Sequence, residues 1–125
     1  MSIVDANVVL RYLLDDHAEL STKAADIIEQ QVATLPMEVA CEVVYVLQKV
    51  YGVERHEIRR QLRALLDETL VSMDKPAVFL KGLECYETSK LDFVDAVLWA
   101  YLVVEGESVY TFDKKLNGYL QRCGD

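Results

Sequence analysis

The chain has 125 residues, enough for a single domain over 1–125, and 52% of them are hydrophobic, enough for a real core. Its formal net charge of −8 is unfavourable for a surface that meets nucleic acid broadly, and suits instead a site that gathers carboxylates around a cation. Three distant cysteines, Cys41, Cys85 and Cys123, and two histidines, His17 and His56, argue against a disulfide framework and against zinc.

No apolar run reaches the length of a membrane span, and no export signal is visible at the start, so a reducing cytoplasm is the expected setting. In chain order, residues 2–4 predict a strand, followed by helices over 7–14 and 20–31. Thr34-Leu35 reads as a short strand. An apolar helix over 37–51 closes at Gly52, and an amphipathic helix spans 54–68. Residues 69–73 predict a strand, and 76–88 a helix. A second apolar helix over 92–105 closes at Gly106. Residues 108–112 (SVYTF) predict a strand, and a helix starts at 114. Pro36 and Pro76 each stand near a helix start. Alternation of this kind predicts an α/β fold with a parallel sheet covered by helices on both faces.

Five acids carry the chemistry. "SIVDANVVL" and "SVYTFDKKL" share one syntax: apolar strand, Asp, helix. Ligands of open α/β sheets bind outside the carboxyl ends of the strands, so Asp5 and Asp113 are expected at one edge. Each would also serve as a helix N-cap. Glu42 sits in "VACEVVYVL", apolar on nearly every side, and a buried carboxylate there is costly unless paired or bound to metal. A salt bridge to Lys49 or Arg11 is the alternative. Asp92 and Asp95, in "KLDFVDAVLWA", lie three apart on one helical face, an arrangement that also suits N-capping. Clustered carboxylates repel, and a divalent cation with oxygen ligands, Mg2+ or Mn2+, relieves that repulsion. Such ions activate water and stabilise a leaving oxygen in phosphodiester cleavage.

In order and approximate spacing, Asp5, Glu42, Asp95 and Asp113 resemble the acidic quartet of PIN-domain ribonucleases. Size and pattern look most like the VapC toxins of prokaryotic toxin–antitoxin pairs. Asn7 is similar to the small polar residue two after the first acid, and Thr111 to the hydroxyl residue two before the last. The resemblance covers nearly the whole chain. It implies a three-layer α/β/α sandwich, a magnesium- or manganese-dependent endoribonuclease, an RNA substrate, a homodimer and a small VapB-like antitoxin. On that reading the quartet binds metal and is catalytic, while Asn7, Asp92 and Thr111 support it.

RNA needs cations to meet it. In "VERHEIRRQLRALLDE", Ile58, Leu62, Leu65 and Leu66 form the core stripe of a helix, with Arg59, Arg60 and Arg63 beside it. These arginines could contact RNA or a partner; a solvated face with an Arg63–Asp67 pair is the alternative. Tyr45, Tyr51 and Trp99 lie in apolar helices and are expected in the core or a dimer interface. Two other classes compete. A phospho-receiver shares the size and an acidic magnesium pocket, but needs paired acids after its first strand, and the Lys-Pro at 75–76 comes too early. A catalytically silent binding module would have no reason to keep all four acids.

Overall fold

The computed structural model describes residues 2–123. They fall into two compact units, Met1–Asp74 and Lys75–Asp125.

The first unit is built on short parallel pairings. Strands β1 (Ala33–Thr34) and β2 (Val71–Ser72) pair in parallel, Ala33 opposite Val71 and Thr34 opposite Ser72. On the other side of β1, Ile3 bridges to Thr34 in parallel. There the Val4 N–H donates to the Thr34 carbonyl at 3.2 Å, and the Thr34 N–H donates to the Ser2 carbonyl at 2.7 Å. The expected strands at 2–4, 34–35 and 69–73 therefore exist as pairings, but only one to two residues of each are regular. Two residues explain the truncation. Asp5 begins a helix directly after Val4, and Pro36 lacks the N–H that would continue the ladder past Leu35.

Helices α1 (Ala6–Leu14), α2 (Ala18–Gln30), α3 (Met37–Lys49) and α4 (Arg55–Asp67) surround these pairings. Each buries one stripe: Val9 and Leu10 of α1, Ala24 and Ile28 of α2, Val43, Val44 and Leu47 of α3, and Ile58, Leu62 and Leu65 of α4. Helix α1 packs on α2 and α3, and α4 on α3 and β2. Burying such a side chain stabilises by roughly 1.5–3 kcal/mol, far more than a surface pair contributes.

The second unit is helical: α5 (Pro76–Thr88), α6 (Phe93–Glu105) and α7 (Lys114–Cys123). Pro76 opens α5 in its first turn, where no N–H is missed. Gly106 closes α6 in the left-handed region at φ 71°, its N–H on the Leu102 carbonyl at 3.0 Å. Helices α5 and α6 meet closely because Gly82 has no Cβ; one built there would stand 3.1 Å from Val97 Cγ2 and 3.3 Å from Val97 Cα. Phe93 stacks edge-to-face on Phe79 and on Tyr86, at centroid distances of 5.8 and 5.6 Å. Leu116 and Leu120 anchor α7.

The fold is mostly helical with a small parallel sheet, compatible with the α/β class expected. The strand expected at 108–112 is not there: these residues are neither strand nor helix. Strand propensity measures how well a side chain suits a pleated, half-buried surface. The described residues of this unit offer no neighbouring strand to pair with, and Tyr110 and Phe112 are fully in solvent. Among the described residues no helix is long and apolar enough to cross a membrane.

Candidate functional site

The expected acids divide between the units: Asp5 and Glu42 in the first, Asp92, Asp95 and Asp113 in the second. Asp5 is exposed and caps α1, its Oδ1 accepting the Val8 N–H at 3.1 Å. Such a cap is worth about 1 kcal/mol and occupies one of the two carboxylate oxygens. Asn7 lies beyond it in the first turn, exposed, with no side-chain hydrogen bond among the described residues.

Glu42 corrects the sequence reading. It is exposed, not buried. Helix α3 turns Ala40, Val43, Val44 and Leu47 inward and carries Glu38, Glu42, Tyr45 and Lys49 on its outer side. Apolar neighbours in sequence did not mean apolar neighbours in space, so desolvation gives Glu42 no special standing. The salt-bridge alternative also lapses for Arg11, which is committed to Asp16 at 2.9 Å and to the Tyr51 hydroxyl at 3.0 Å. Tyr45 and Tyr51 are exposed as well, so neither is core. Trp99 is half-buried, with Lys81 Nζ 5.9 Å from its ring centroid.

The second unit brings three acids into one field. Asp95 is half-buried in the first turn of α6, and its carboxyl is pushed above the ordinary value by burial first, then by Asp113 and Asp92. Lys115 pulls the other way. Asp92 occupies the N-cap position of α6, yet its side chain makes no capping bond, so the capping-box alternative does not account for the pair. Asp113 caps α7: its Oδ1 accepts the Leu116 N–H at 2.8 Å, and its carbonyl accepts the Asn117 N–H at 3.0 Å. Thr111 acts on the backbone rather than on a carboxylate. Its hydroxyl accepts the Asp113 N–H at 3.0 Å, and its carbonyl accepts from Asn117 Nδ2 at 2.9 Å.

Lys115 and Asn117 escaped the sequence reading. Lys115 Nζ donates to the Lys90 carbonyl at 2.6 Å, which tethers a cation beside the acids. The signal was the Lys-Lys directly after Asp113; Asn117, four residues beyond that acid, gave no more than a helical spacing.

On α4, Arg60 grips Glu57 through both its Nε and its terminal nitrogen, and holds that carboxyl down at about 2. Gln61 Nε2 also donates to Glu57 at 2.9 Å. Arg63 pairs with Asp67 at 3.3 Å, the alternative foreseen, and Arg59 is half-buried. Two of the three arginines thus meet acids of their own helix.

The donor chemistry fits a hard divalent ion: carboxylates without thiolates or imidazoles, three of them in mutual repulsion around Asp95. Among the described residues, however, no three of His, Cys, Asp or Glu stand close enough together to hold a metal ion.

In the first unit an acid opens a helix directly after a short parallel pairing, and in the second unit acids stand at the starts of α6 and α7, features of an acidic-site α/β protein. The family model described as "PIN domain" matches residues 2–119, spanning both units, and the chain belongs to that family. PIN domains are a superfamily of generally metal-dependent nucleases. No curated protein and no solved structure matches the chain.

Proposed function

We infer that the chain is a divalent-metal-dependent endoribonuclease, the toxin of a toxin–antitoxin pair, acting in the cytoplasm as one PIN-like domain over 1–125 and as a homodimer. The observation that carries this reading is membership of the PIN family over residues 2–119, supported by the mutual repulsion of Asp92, Asp95 and Asp113 in the second unit. Clustered negative charge is a standing cost that a bound cation offsets.

Asp5, Glu42, Asp95 and Asp113 would hold Mg2+ or Mn2+, which supplies an activated water and stabilisation of the leaving oxygen. The chain's own part is to place the carboxylates. The caps of α1 and α7 fix the backbones of Asp5 and Asp113. Thr111 and Asn117 together set the turn that presents Asp113. Lys115, tethered to the Lys90 carbonyl, sets a positive charge where a substrate phosphate approaches the acids. Arg59, Arg60 and Arg63 are exposed or half-buried on α4. Surface pairs such as Arg60–Glu57 and Arg63–Asp67 are worth about 1 kcal/mol or less, so phosphates or a partner's acids can displace them. A VapB-like antitoxin would bring a basic side chain to the acids. The exposed Tyr45, Val50 and Tyr51 are the apolar surface that favours a second copy.

Induced expression in a bacterial host tests this reading. The wild-type chain arrests growth with RNA breakdown, Asp95→Asn does not, and co-expression of the small open reading frame beside the gene restores growth. Growth unaffected by the wild-type chain at high expression contradicts the toxin assignment.

A further inference from the structure

Lys115 is the second residue of α7, two beyond Asp113. A helix N-terminus is a poor place for a cation, since the macrodipole is positive there, and α7 has no acid in its first turn to compensate. The ammonium is nonetheless held in place: its Nζ donates at 2.6 Å to the carbonyl of Lys90, two residues before Asp92. Both ends of this contact are fixed by the fold. The Lys90 carbonyl belongs to the turn between α5 and α6, where the Leu91 N–H donates to the Ser89 hydroxyl at 3.1 Å and the Leu91 side chain is buried. Lys115 stands between Asp113, which caps α7, and the buried Leu116. All of these residues lie in Lys75–Asp125, so the arrangement is internal to one unit. Burial, Asp113 and Asp92, in that order, raise the Asp95 carboxyl, and Lys115 draws it down through space. Among the described residues Lys115 makes no ion pair with any of the three acids.

We propose that Lys115 is a positioning residue, the resident counter-cation of Asp92, Asp95 and Asp113: anchored on the Lys90 carbonyl, it steadies these acids without metal and sets how tightly a divalent ion binds them. The inference rests on the nuclease reading for the metal, and adds the regulation of that same site. A direct ion pair would occupy carboxylate oxygens that a hard cation needs as ligands. An ammonium anchored on a backbone oxygen offsets the repulsion from a short distance and leaves those oxygens open. The anchor also ties the turn before α6 to the start of α7, the two segments that carry the acids. The same positive charge repels an incoming divalent ion, so the ion binds less tightly than the acids alone would hold it.

The test is a double-mutant cycle by thermal melting in EDTA, followed by Mn2+ titration of the same proteins. Lys115→Met keeps the aliphatic stem and removes the charge. In EDTA it lowers the melting temperature by roughly 2 °C or more, by at most about half as much in an Asp95→Asn background, and by less at about 1 M NaCl. Lys114→Met, a charge removed one position earlier, shows no such dependence on Asp95. Lys115→Arg keeps the charge and melts as the wild type does. In the Mn2+ titration, Lys115→Met binds the ion roughly threefold tighter or more. A plain tether would give the same loss in both backgrounds and at both salt concentrations, and that result overturns the proposal. Mn2+ binding that is unchanged or weaker in Lys115→Met overturns it too. A wild type that shows no response to Mn2+ counts against the nuclease reading alone, because the cycle in EDTA contains no metal and still decides the role of Lys115.

Discussion

Asp113 and Asp95 repel each other: the charge of Asp113 helps to keep the half-buried Asp95 carboxyl protonated above its ordinary value. Between that value and the raised one, the folded chain holds a proton that the unfolded chain has released. Stability from this group is therefore present at low pH and lost as pH rises through the folded value. Asp95→Asn should flatten the pH profile on the acid side of neutrality and, in EDTA at pH 7, raise the melting temperature. Solvent screening keeps the gain small, on the order of 0.5 kcal/mol. Thermal melts across that range check the sign; a lower melting temperature for Asp95→Asn at pH 7 counts against the shared field.

Gly82 sets the distance between α5 and α6. A methyl group there meets the Val97 backbone, which cannot rotate away. Gly82→Ala should destabilise by about 1–3 kcal/mol, and Gly82→Val by more. Urea unfolding measures both. A neutral Gly82→Ala would mean that the helix pair is looser than the contact implies.

Thr111 holds the turn before α7 through one hydroxyl. Thr111→Val removes the acceptor of the Asp113 N–H and should cost about 0.5–1.5 kcal/mol, whereas Thr111→Ser keeps it. Asn117→Ala should resemble Thr111→Val, since it frees the same turn from its other side. If the turn positions a metal ligand, both weaken the rise in melting temperature that Mn2+ produces through linkage, and Thr111→Ser does not.

Glu42 separates two roles by stability alone. Exposed on α3, it strands no buried cation when neutralised, so Glu42→Gln in EDTA should stay within about 0.5 kcal/mol of the wild type. A loss of roughly 3–5 kcal/mol would signal a buried pair instead. As a metal ligand, Glu42 is needed for the Mn2+-induced rise, and Glu42→Gln should abolish it.

Much of the fold was legible in the sequence because the signals were local. Gly52 and Gly106, both at positive φ, Pro76 at the start of α5, and the acids that open α1 and α7 are punctuation that works within one turn of chain. The helix at 76–88 appears with those bounds. What failed depended on space. Glu42 looked buried because its neighbours in sequence are apolar, although helical geometry sends them to the opposite side. The 108–112 segment has strand composition, but pairing takes a partner that composition cannot reveal. Asp92 looked like a capping residue and sits at the cap, yet its carboxylate is not used there.

Cleavage of single-stranded RNA by the purified chain, with Mn2+ and with EDTA, decides whether the four acids serve metal-dependent hydrolysis, measured for the wild type beside Asp5→Asn, Glu42→Gln, Asp95→Asn and Asp113→Asn. Cleavage by the wild type is expected to depend on Mn2+ and to fall roughly a hundredfold or more in each variant, since each acid is asked to supply several kcal/mol of metal-borne stabilisation. Cleavage that persists in EDTA, or that survives at the wild-type rate when Asp95 and Asp113 are neutralised, would contradict that role.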